Sequence, residues 1–333
     1  MGAVQAQDFR GSLWAVGLRL AAAVEADVEQ AIADRTIVRT WPMRGTLHYA
    51  PAADVRWMLE LLTPRVIARS AGRYRELGLD EAALERGGTI LARALAGGRS
   101  LTRAEVYDAL QRGGVSPEGQ RGIHIVGHLA QHGLLCHGPR RDKQPTFVLL
   151  DDWLPPPRKT ARDEALATLA ERYFASHGPA TLHDFAWWSG LGIRDSQAAI
   201  GDAGAKLSAE TTGGRKWLRS AATPEPPVRA SRRPAAVLLP VWDEYVVAYK
   251  DRDDAVDHPT ARAERLKTVG SALIVVDGTV RGAWRRTLSA SAVEVTLEFW
   301  TAPTAPERRA VDRAVARYAR FLGRGPVIAG ISR

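Results

Sequence analysis

The sequence of 333 residues contains a single cysteine, Cys136. One cysteine cannot form an internal disulfide, and it excludes a cysteine-rich zinc module. Apolar residues occur in short groups, and no run approaches the roughly 20 residues that a transmembrane helix requires. The N-terminus lacks a signal-peptide pattern, because Asp8 and Arg10 interrupt any apolar segment there. These absences predict a cytoplasmic protein without a membrane segment.

Acidic residues are too few to balance the basic ones. The chain has 46 Lys and Arg against 37 Asp and Glu, a net charge of +9, and a pI near 10.0. An excess of cationic side chains favours polyanionic partners, because phosphate contacts release counterions. The alternative is that an arginine- and alanine-rich composition reflects a GC-rich genome, and net charge alone does not separate the two. The length and the 45% hydrophobic content predict a globular chain of two or three domains.

The stretch Ser100–Trp153 has the pattern of a winged helix. Thr102 and Glu105 have the spacing of a capping box, which predicts a helix start. A second helix begins near Pro117 and carries apolar residues at a period of about 3.6. The chain then returns through a basic turn at 139–143, which predicts a hairpin with a cationic tip. The alternative is an ordinary helical hairpin followed by a loop.

Proline-rich segments and weak repeats suggest where the domains begin and end. Trp153–Pro157 is the strongest linker pattern, and residues 223–235 form a second, Pro/Arg-rich connector. Residues 180–185 are similar to residues 100–105, which predicts a repeated unit. The predicted boundaries are 1–99 for an N-terminal winged-helix-like unit plus helices, 100–154 for the central winged helix, 158–222 for a further winged-helix unit, and 236–333 for a β-rich domain with a terminal helix.

The C-terminal part has strand and hairpin signals. Residues 236–241 read as a buried strand, and Asp277-Gly278 lies between two apolar runs, a strong hairpin signal. Residues 293–301 predict a third strand, and 306–321 a closing helix. The predicted fold class is therefore α+β and mainly helical, with tandem winged-helix (helix-turn-helix) units and a β-rich C-terminal domain.

Five segments in a fixed order carry a family resemblance: Gln5–Asp8, Arg39–His48, Trp242–Tyr245, Tyr249–Arg252 and Asp277–Arg286. Together they resemble the AlkZ/YcaQ-like family of winged-helix DNA glycosylases. The resemblance implies tandem winged helices that form a concave basic scaffold, and monofunctional excision of alkylated bases. Family members usually have a further helix before the first segment. We expect that the start lies upstream of Met1 or that this helix is absent.

The resemblance implies that Gln5 and Gln7 match the family's catalytic Gln-x-Gln. Residues at i and i+2 point apart on a helix but share a face in an extended segment. If both glutamines serve one site, we expect Gln5–Gln7 to be extended or turning, and Asp8 or Ser12 to cap the next helix. A glutamine carbonyl can orient a water and favour developing positive charge. The alternative is that both glutamines are exposed polar residues near a mobile terminus.

Three further residues are candidates for lining the site: His48, Asp243 and Glu244. Either carboxylate could polarise a water if it is buried, but a salt bridge to a nearby arginine is favoured. His48 either lines the site or is a satisfied core residue.

The cationic residues expected to contact DNA are Arg44, Arg121, Arg140, Arg141, Lys143, Lys250, Arg252, Arg285 and Arg286. His124, His128 and His132 have a spacing that suggests a metal site. No carboxylate recurs on that face, so a solvated or DNA-facing helix surface is favoured and no metal is predicted. Trp284, beside the arginine pair, either reaches a groove or belongs to the core.

The predicted function is repair of duplex DNA by hydrolysis of the N-glycosidic bond of purines alkylated at N7 or N3, including bulky adducts or interstrand crosslinks. The alternative is a noncatalytic winged-helix DNA-binding regulator. The expected partner is double-stranded DNA, with no cofactor and no obligate protein partner, and the chain is expected to act as a monomer.

Overall fold

A computed structural model describes residues 1–156, 159–223, 233–252, 255 and 270–332 of the chain. Most of the predicted connector at 223–235, Pro157 of the predicted linker, and Asp253 and Asp254 lie outside these residues. The architecture is mixed α/β. In chain order the elements are β1 (Val4–Gln5), α1 (Phe9–Gly17), α2 (Glu25–Ala33), β2 (Ile37–Met43), β3 (Thr46–Pro51), α3 (Val55–Glu76), α4 (Glu81–Leu95), β4 (Leu101–Thr102), α5 (Arg103–Arg112), α6 (Arg121–Gln131), β5 (Leu135–Arg141), β6 (Gln144–Leu149), α7 (Leu150–Trp153), α8 (Arg162–His177), α9 (Leu182–Ser189), α10 (Ile193–Ala203), a 3-10 turn (Gly204–Lys206), β7 (Leu207–Thr212), β8 (Arg215–Ser220), β9 (Ala236–Leu239), α11 (Glu244–Val247), β10 (Leu273–Val276), β11 (Thr279–Leu288), β12 (Ala292–Phe299), α12 (Ala305–Phe321) and β13 (Gly325–Ser332).

The chain divides into two compact units, and each unit is assembled from separate segments. The first unit contains Met1–Ala3, Glu29–Ser176 and Ser189–Leu207. The second contains Val4–Val28, His177–Trp188 and Ser208–Arg333. The N-terminal Gln-x-Gln segment therefore belongs to the same unit as the C-terminal sheet. The four domain boundaries inferred from the sequence stay a prediction.

In the first unit, five strands lie side by side in the order β3-β2-β5-β6-β4. The predicted order of helix, turn, helix and hairpin is confirmed as α5, α6, β5 and β6. Thr102 and Glu105 form the predicted capping box at the start of α5, and both of its hydrogen bonds satisfy helix-end N–H groups. The predicted apolar arc of α6 is buried at Ile125, Val126 and Leu129, where it joins the core of this unit.

Between α7 and the C-terminal sheet, the chain again runs through helices into a hairpin. Helices α8, α9 and α10 precede β7 and β8, which form their own two-stranded sheet. The turn between these strands contains Gly213 and Gly214 with φ of 60° and 74°, a backbone region in which glycine has no steric penalty. The two glycines therefore suit the turn that joins β7 to β8.

In the second unit, five strands lie in the order β13-β12-β11-β10-β9. The predicted hairpin joins β10 to β11, and Asp277 and Gly278 have φ of 48° and 81°, as a two-residue hairpin turn of the favoured type requires. Helix α12 begins at a capping box formed by Thr304 and Glu307. Strand β13, parallel to β12, was not predicted, because glycine and proline interrupt its apolar pattern. No helix of the described chain is long and apolar enough to cross a membrane.

Helix α1 packs on α12 through an aromatic cluster. The Trp14 ring lies 5.1 Å from the ring centroids of both Tyr318 and Phe321. The Trp14 indole Nε1–H donates to the Leu238 carbonyl at 2.7 Å, so the polar end of this buried ring is satisfied. This packing fixes α1 on the C-terminal sheet, and it thereby positions the residues that immediately precede α1.

Candidate active site

The Gln5–Gln7 segment leaves strand β1 at Gln5 and bends at Gln7, which fits the expectation of an extended or turning segment. Val4 and Ala6 are buried, Gln5 is half-buried and Gln7 is exposed. Burial therefore alternates along residues 4–7, and the two glutamines are on the less buried side. Asp8 then caps α1 by accepting a hydrogen bond from the Gly11 N–H at 3.1 Å, which confirms one of the two predicted caps.

The backbone of Gln5 is held by a carboxylate from the other end of the chain. Glu244 Oε1 accepts a hydrogen bond from the Gln5 N–H at 2.8 Å. Its second oxygen, Oε2, accepts from the Trp188 indole N–H at 2.9 Å and lies 3.6 Å from His177 Nε2. The Glu244 side chain is fully buried, so both oxygens face protein donors.

Asp243 forms the salt bridge that the sequence favoured, and its partner is Arg19. Arg19 donates from Nη1 to Oδ2 at 2.9 Å and from Nη2 to Oδ1 at 2.8 Å. Asp243 Oδ1 also caps α11 by accepting from the Tyr245 N–H at 2.9 Å. Burial lowers the pKa of Arg19, but the hydrogen bond and charge of Asp243 outweigh it, so the pKa is raised overall. This carboxylate is engaged on both oxygens.

These contacts favour a structural role for both members of the acidic pair. A general base must have an oxygen that can reach the attacking water. Asp243 gives its oxygens to Arg19 and Tyr245, and Glu244 gives its oxygens to Gln5 and Trp188. The geometry therefore favours a supporting role of the pair for the glutamine segment, and water polarisation by Asp243 or Glu244 stays a prediction.

The loop after α11 carries two of the predicted DNA contacts. Lys250 is exposed. Arg252 is partly buried: its Nε–H donates to the Val246 carbonyl at 2.8 Å, and its guanidinium lies 5.7 Å from the Trp187 ring centroid. Burial lowers the pKa of Arg252. Tyr249 fixes the loop by donating its hydroxyl to the His177 carbonyl at 2.8 Å.

The predicted arginine pair on β11 borders a cleft of about 650 Å³, which Asp8 also lines. Arg285 is exposed, whereas Arg286 donates to the Tyr318 hydroxyl at 2.7 Å and lies 3.5 Å from Asp8 Oδ2. Trp284 is a core residue, since it is buried and its indole N–H donates to the Leu239 carbonyl at 2.8 Å. Arg285 is thus the member of the pair that faces solvent.

In the first unit, His48 is a fully buried residue with contacts at both ring nitrogens. Its Nδ1 lies 2.9 Å from the Thr46 carbonyl oxygen, and its Nε2 lies 3.1 Å from Arg44 Nη2. The satisfied-core interpretation therefore fits His48. Arg44 is half-buried beside it.

Arg121, a predicted DNA contact, anchors two loops of the first unit. Its Nε–H donates to the Ser116 carbonyl at 3.0 Å, and its Nη1 donates to the carbonyls of Leu77 and Gly78. Three backbone acceptors use most of the donors of one guanidinium. The visible role of Arg121 is therefore structural, and contact with DNA stays a prediction.

At the β5–β6 hairpin, the three predicted cations differ in what they contact. Arg140 pairs with Glu29, and Arg141 pairs at 2.7 Å with Glu105, the capping residue of α5. Lys143 is exposed at the hairpin tip. Lys143 is thus the member of this group whose substitution disturbs the fold least.

Of the three histidines of α6 and its end, His128 and His132 pack against each other, and His124 packs against Tyr74. The His128 ring lies 5.4 Å from Tyr74 and 4.3 Å from His132. Burial, and secondarily the charge of His132, lowers the pKa of His128 to about 4. Across the described residues, no group of three or more His, Cys, Asp or Glu side chains could hold a metal ion.

Three residues of the second unit were missed by the sequence reasoning: Arg19, His177 and Trp188. Each contacts Asp243 or Glu244, yet none stands at a motif spacing from the glutamines or the acidic pair. Arg19 follows an amphipathic helix, and a basic residue at that place could have suggested an ion pair. Its partner, Asp243, is however 224 positions away in the sequence. The sequence contains no signal for the other two.

Comparisons with known proteins match almost the whole chain. Residues 1–321 match the family described as DNA glycosylase AlkZ-like. The chain belongs to the AlkZ-like DNA glycosylase family. It is 28% identical, over 99% of this chain and 89% of the relative, to an interstrand DNA cross-link repair glycosylase of Streptomyces sahachiroi.

The fold of this family member is also similar to a solved structure. The structure of the Streptomyces sahachiroi DNA glycosylase AlkZ superposes with a TM-score of 0.75 and 26% sequence identity, over 99% of this chain and 91% of that chain. The resemblance inferred from the sequence is therefore confirmed. As a member of this family the chain is a DNA glycosylase, an enzyme of the hydrolase class.

Proposed function

We propose that this glycosylase removes purines alkylated at N7 or N3 from duplex DNA by hydrolysis, and that bulky adducts or interstrand crosslinks are among its substrates. The observation that carries the proposal is the Gln5–Gln7 segment, which is bonded through the Gln5 backbone to buried Glu244 and whose two glutamines are less buried than Val4 and Ala6. The relative described as an interstrand DNA cross-link repair glycosylase supports the choice of bulky and crosslinked lesions.

The chemistry suits a pair of glutamines. Cleavage of an N-glycosidic bond passes through an oxocarbenium-like state with water near the anomeric carbon. A glutamine carbonyl accepts from that water and favours the positive charge, and its amide hydrogens can donate. A purine alkylated at N7 or N3 is cationic and leaves readily, so a strong carboxylate base is not required. Gln5 and Gln7 are the proposed catalytic residues.

DNA binding is assigned to cationic residues in both units. We propose that the α5–α6–hairpin segment and the α8–β8 segment are tandem winged helices, each with the element order of that motif. Lys143, Lys250 and Arg285 are exposed and form the proposed core of the phosphate contacts. The other predicted cations, which have protein partners, are secondary. The proposed form is a cytoplasmic monomer that needs no cofactor.

The decisive experiment uses duplexes that carry one N7-alkylguanine, one bulky N7 adduct or one N7–N7 crosslink. The protein is present in excess, and free base and abasic sites are measured separately. We expect release of the modified base and an alkali-labile abasic strand, without strand cleavage before alkali treatment. Failure to release base from all three substrates would overturn the proposal. Sequence-selective binding to undamaged duplex would then favour the noncatalytic regulator.

A further inference from the structure

Two consecutive residues, Asp243 and Glu244, hold both ends of the segment from Gln5 to Arg19. Glu244 bonds to the Gln5 N–H, and Asp243 bonds twice to Arg19. Their own backbone is fixed, because Asp243 caps α11 and Trp242 before it has φ of 58°, a restricted conformation for a non-glycine residue.

We propose that Glu244 is a positioning residue for catalysis, which sets the backbone of Gln5 and hence the direction of its side chain. This inference rests on the proposed function of Gln5. Strand β1 contains only two residues, Val4 and Gln5. A fully buried acceptor 239 positions away supplies a fixed point at the residue where placement matters.

The proposal depends on the carboxylate having two acceptor oxygens. One oxygen accepts the Gln5 N–H and the other accepts the Trp188 indole N–H. A glutamine at position 244 has nearly the same shape, but one of its terminal atoms is an NH₂ donor. Whichever way the amide turns, that NH₂ group faces an N–H group. Glu244→Gln therefore breaks one of the two contacts without creating a large cavity.

The partner residue Trp188 provides a rescue variant. Trp188→Phe removes the indole N–H, so a glutamine at 244 can turn its carbonyl toward Gln5 and its NH₂ toward the vacated side. There the NH₂ approaches His177 Nε2, which lies 3.6 Å from the present Oε2 and can accept when the ring is neutral. A role for Glu244 in stability alone predicts that folded E244Q excises at the wild-type rate.

The matched control is Asp54→Asn in the first unit. Asp54 is a buried carboxylate that accepts the Trp57 indole N–H at 3.0 Å and pairs with Arg172. Asp54→Asn therefore removes a buried carboxylate beside an indole, as Glu244→Gln does, but at a site that has no hydrogen bond to Gln5. Its effect measures the general cost of such a change.

The experiment compares wild type, E244Q, W188F/E244Q and D54N in single-turnover excision at saturating enzyme, with DNA affinity measured in parallel. A misplaced reacting group costs on the order of 10²-fold in rate. We therefore expect E244Q to excise about 10- to 100-fold more slowly with little change in affinity. W188F/E244Q should recover at least half of that loss on a logarithmic scale, and D54N should stay within about threefold of wild type.

Hydrogen–deuterium exchange at the Gln5 amide gives a readout that does not need activity. We expect this amide to be protected in wild type, to exchange at least tenfold faster in E244Q, and to regain protection in W188F/E244Q. An excision rate and amide protection that are unchanged in E244Q would overturn the positioning role. A wild-type protein that releases no base would instead overturn the proposed function, and the exchange data would still report whether Glu244 fixes Gln5. If E244Q is unfolded, the excision rate and the Gln5 amide protection of W188F/E244Q are compared with those of D54N, and this comparison decides whether Glu244 positions Gln5.

Discussion

Arg19 and Asp243 form a two-point ion pair across 224 positions of sequence, with N–O distances of 2.8 and 2.9 Å. The Asp243 side chain is 1% exposed and that of Arg19 is 28% exposed. A bidentate guanidinium–carboxylate pair is stronger than a single charged hydrogen bond. It joins the residues just after α1 to the start of α11, where Glu244 lies, so its loss should lower the stability of the second unit.

Arg19→Ala should destabilise the second unit strongly, because it leaves Asp243 buried without its counter-ion. Removing one partner of a buried pair costs about 3–5 kcal/mol, and the partial exposure of Arg19 places the expected loss near 2–3 kcal/mol. Arg19→Lys keeps the charge but not the two-point geometry, and it should cost about 1 kcal/mol. Urea unfolding of the three proteins measures these differences. Equal stability of R19A and R19K would contradict the importance of the pair.

Gln5→Ala and Gln7→Ala should slow the chemical step and leave binding unchanged. Loss of a positioned transition-state group typically costs about 10²–10³ in rate. Single-turnover kinetics at saturating enzyme isolates this effect, because excess enzyme compensates for weak binding. Excision at the parent rate by both variants would show that the catalytic assignment is wrong.

Lys143→Gln should have the opposite effect. Lys143 is exposed at the hairpin tip, so its removal should spare the fold and the saturated rate. If it contacts one phosphate, the slope of log affinity against log salt falls by about 0.9. Arg141→Gln is the comparison variant, because Arg141 also pairs with Glu105 at the α5 cap. An unchanged salt slope in K143Q would remove this hairpin from the DNA interface.

Gly282→Ala should destabilise the C-terminal sheet. A Cβ at Gly282 would lie 2.0 Å from the Glu298 carbonyl oxygen on the adjacent strand β12, and backbone cannot move aside as a flexible side chain can. Overpacking of this kind costs typically about 1–3 kcal/mol. Gly330→Ala is the control, since its Cβ would meet only the Thr296 methyl at 3.7 Å. Thermal unfolding should therefore separate the two alanine variants, and equal melting temperatures would refute the clash.

His128 should make the first unit less stable as the pH falls. Burial lowers its pKa from an ordinary 6.5 to about 4. The unfolded chain therefore binds a proton on His128 before the folded chain does. The stabilising contribution is complete above about pH 6.5 and is lost as the pH falls toward the folded pKa, about 4.

The free energy of unfolding, measured by urea at several pH values, checks this expectation. His128→Gln should flatten the decline between those two pH values. His132→Gln should change it less, because the charge of His132 is the smaller cause of the shift. An H128Q protein with the same pH dependence as wild type would contradict the assignment.

Sequence alone determined the features that depend on neighbours within about four residues. The Asp8 cap, the Thr102–Glu105 capping box and the turn at Asp277-Gly278 are of this kind. Each follows from side-chain hydrogen bonds to nearby backbone or from the φ angles that a residue tolerates. The family resemblance came from the order of such local segments.

Only the tertiary structure decided which distant groups meet. Glu244 was a candidate for activating water, yet it bonds to Gln5 and Trp188, and Arg121 was a candidate for DNA, yet it bonds to three carbonyls. A carboxylate or a guanidinium has the same chemistry in either role. Its role is set by which donors and acceptors the packed backbone places within about 3 Å. Glu244 and Gln5, which are 239 positions apart in the sequence, are brought into hydrogen-bond contact only by the fold.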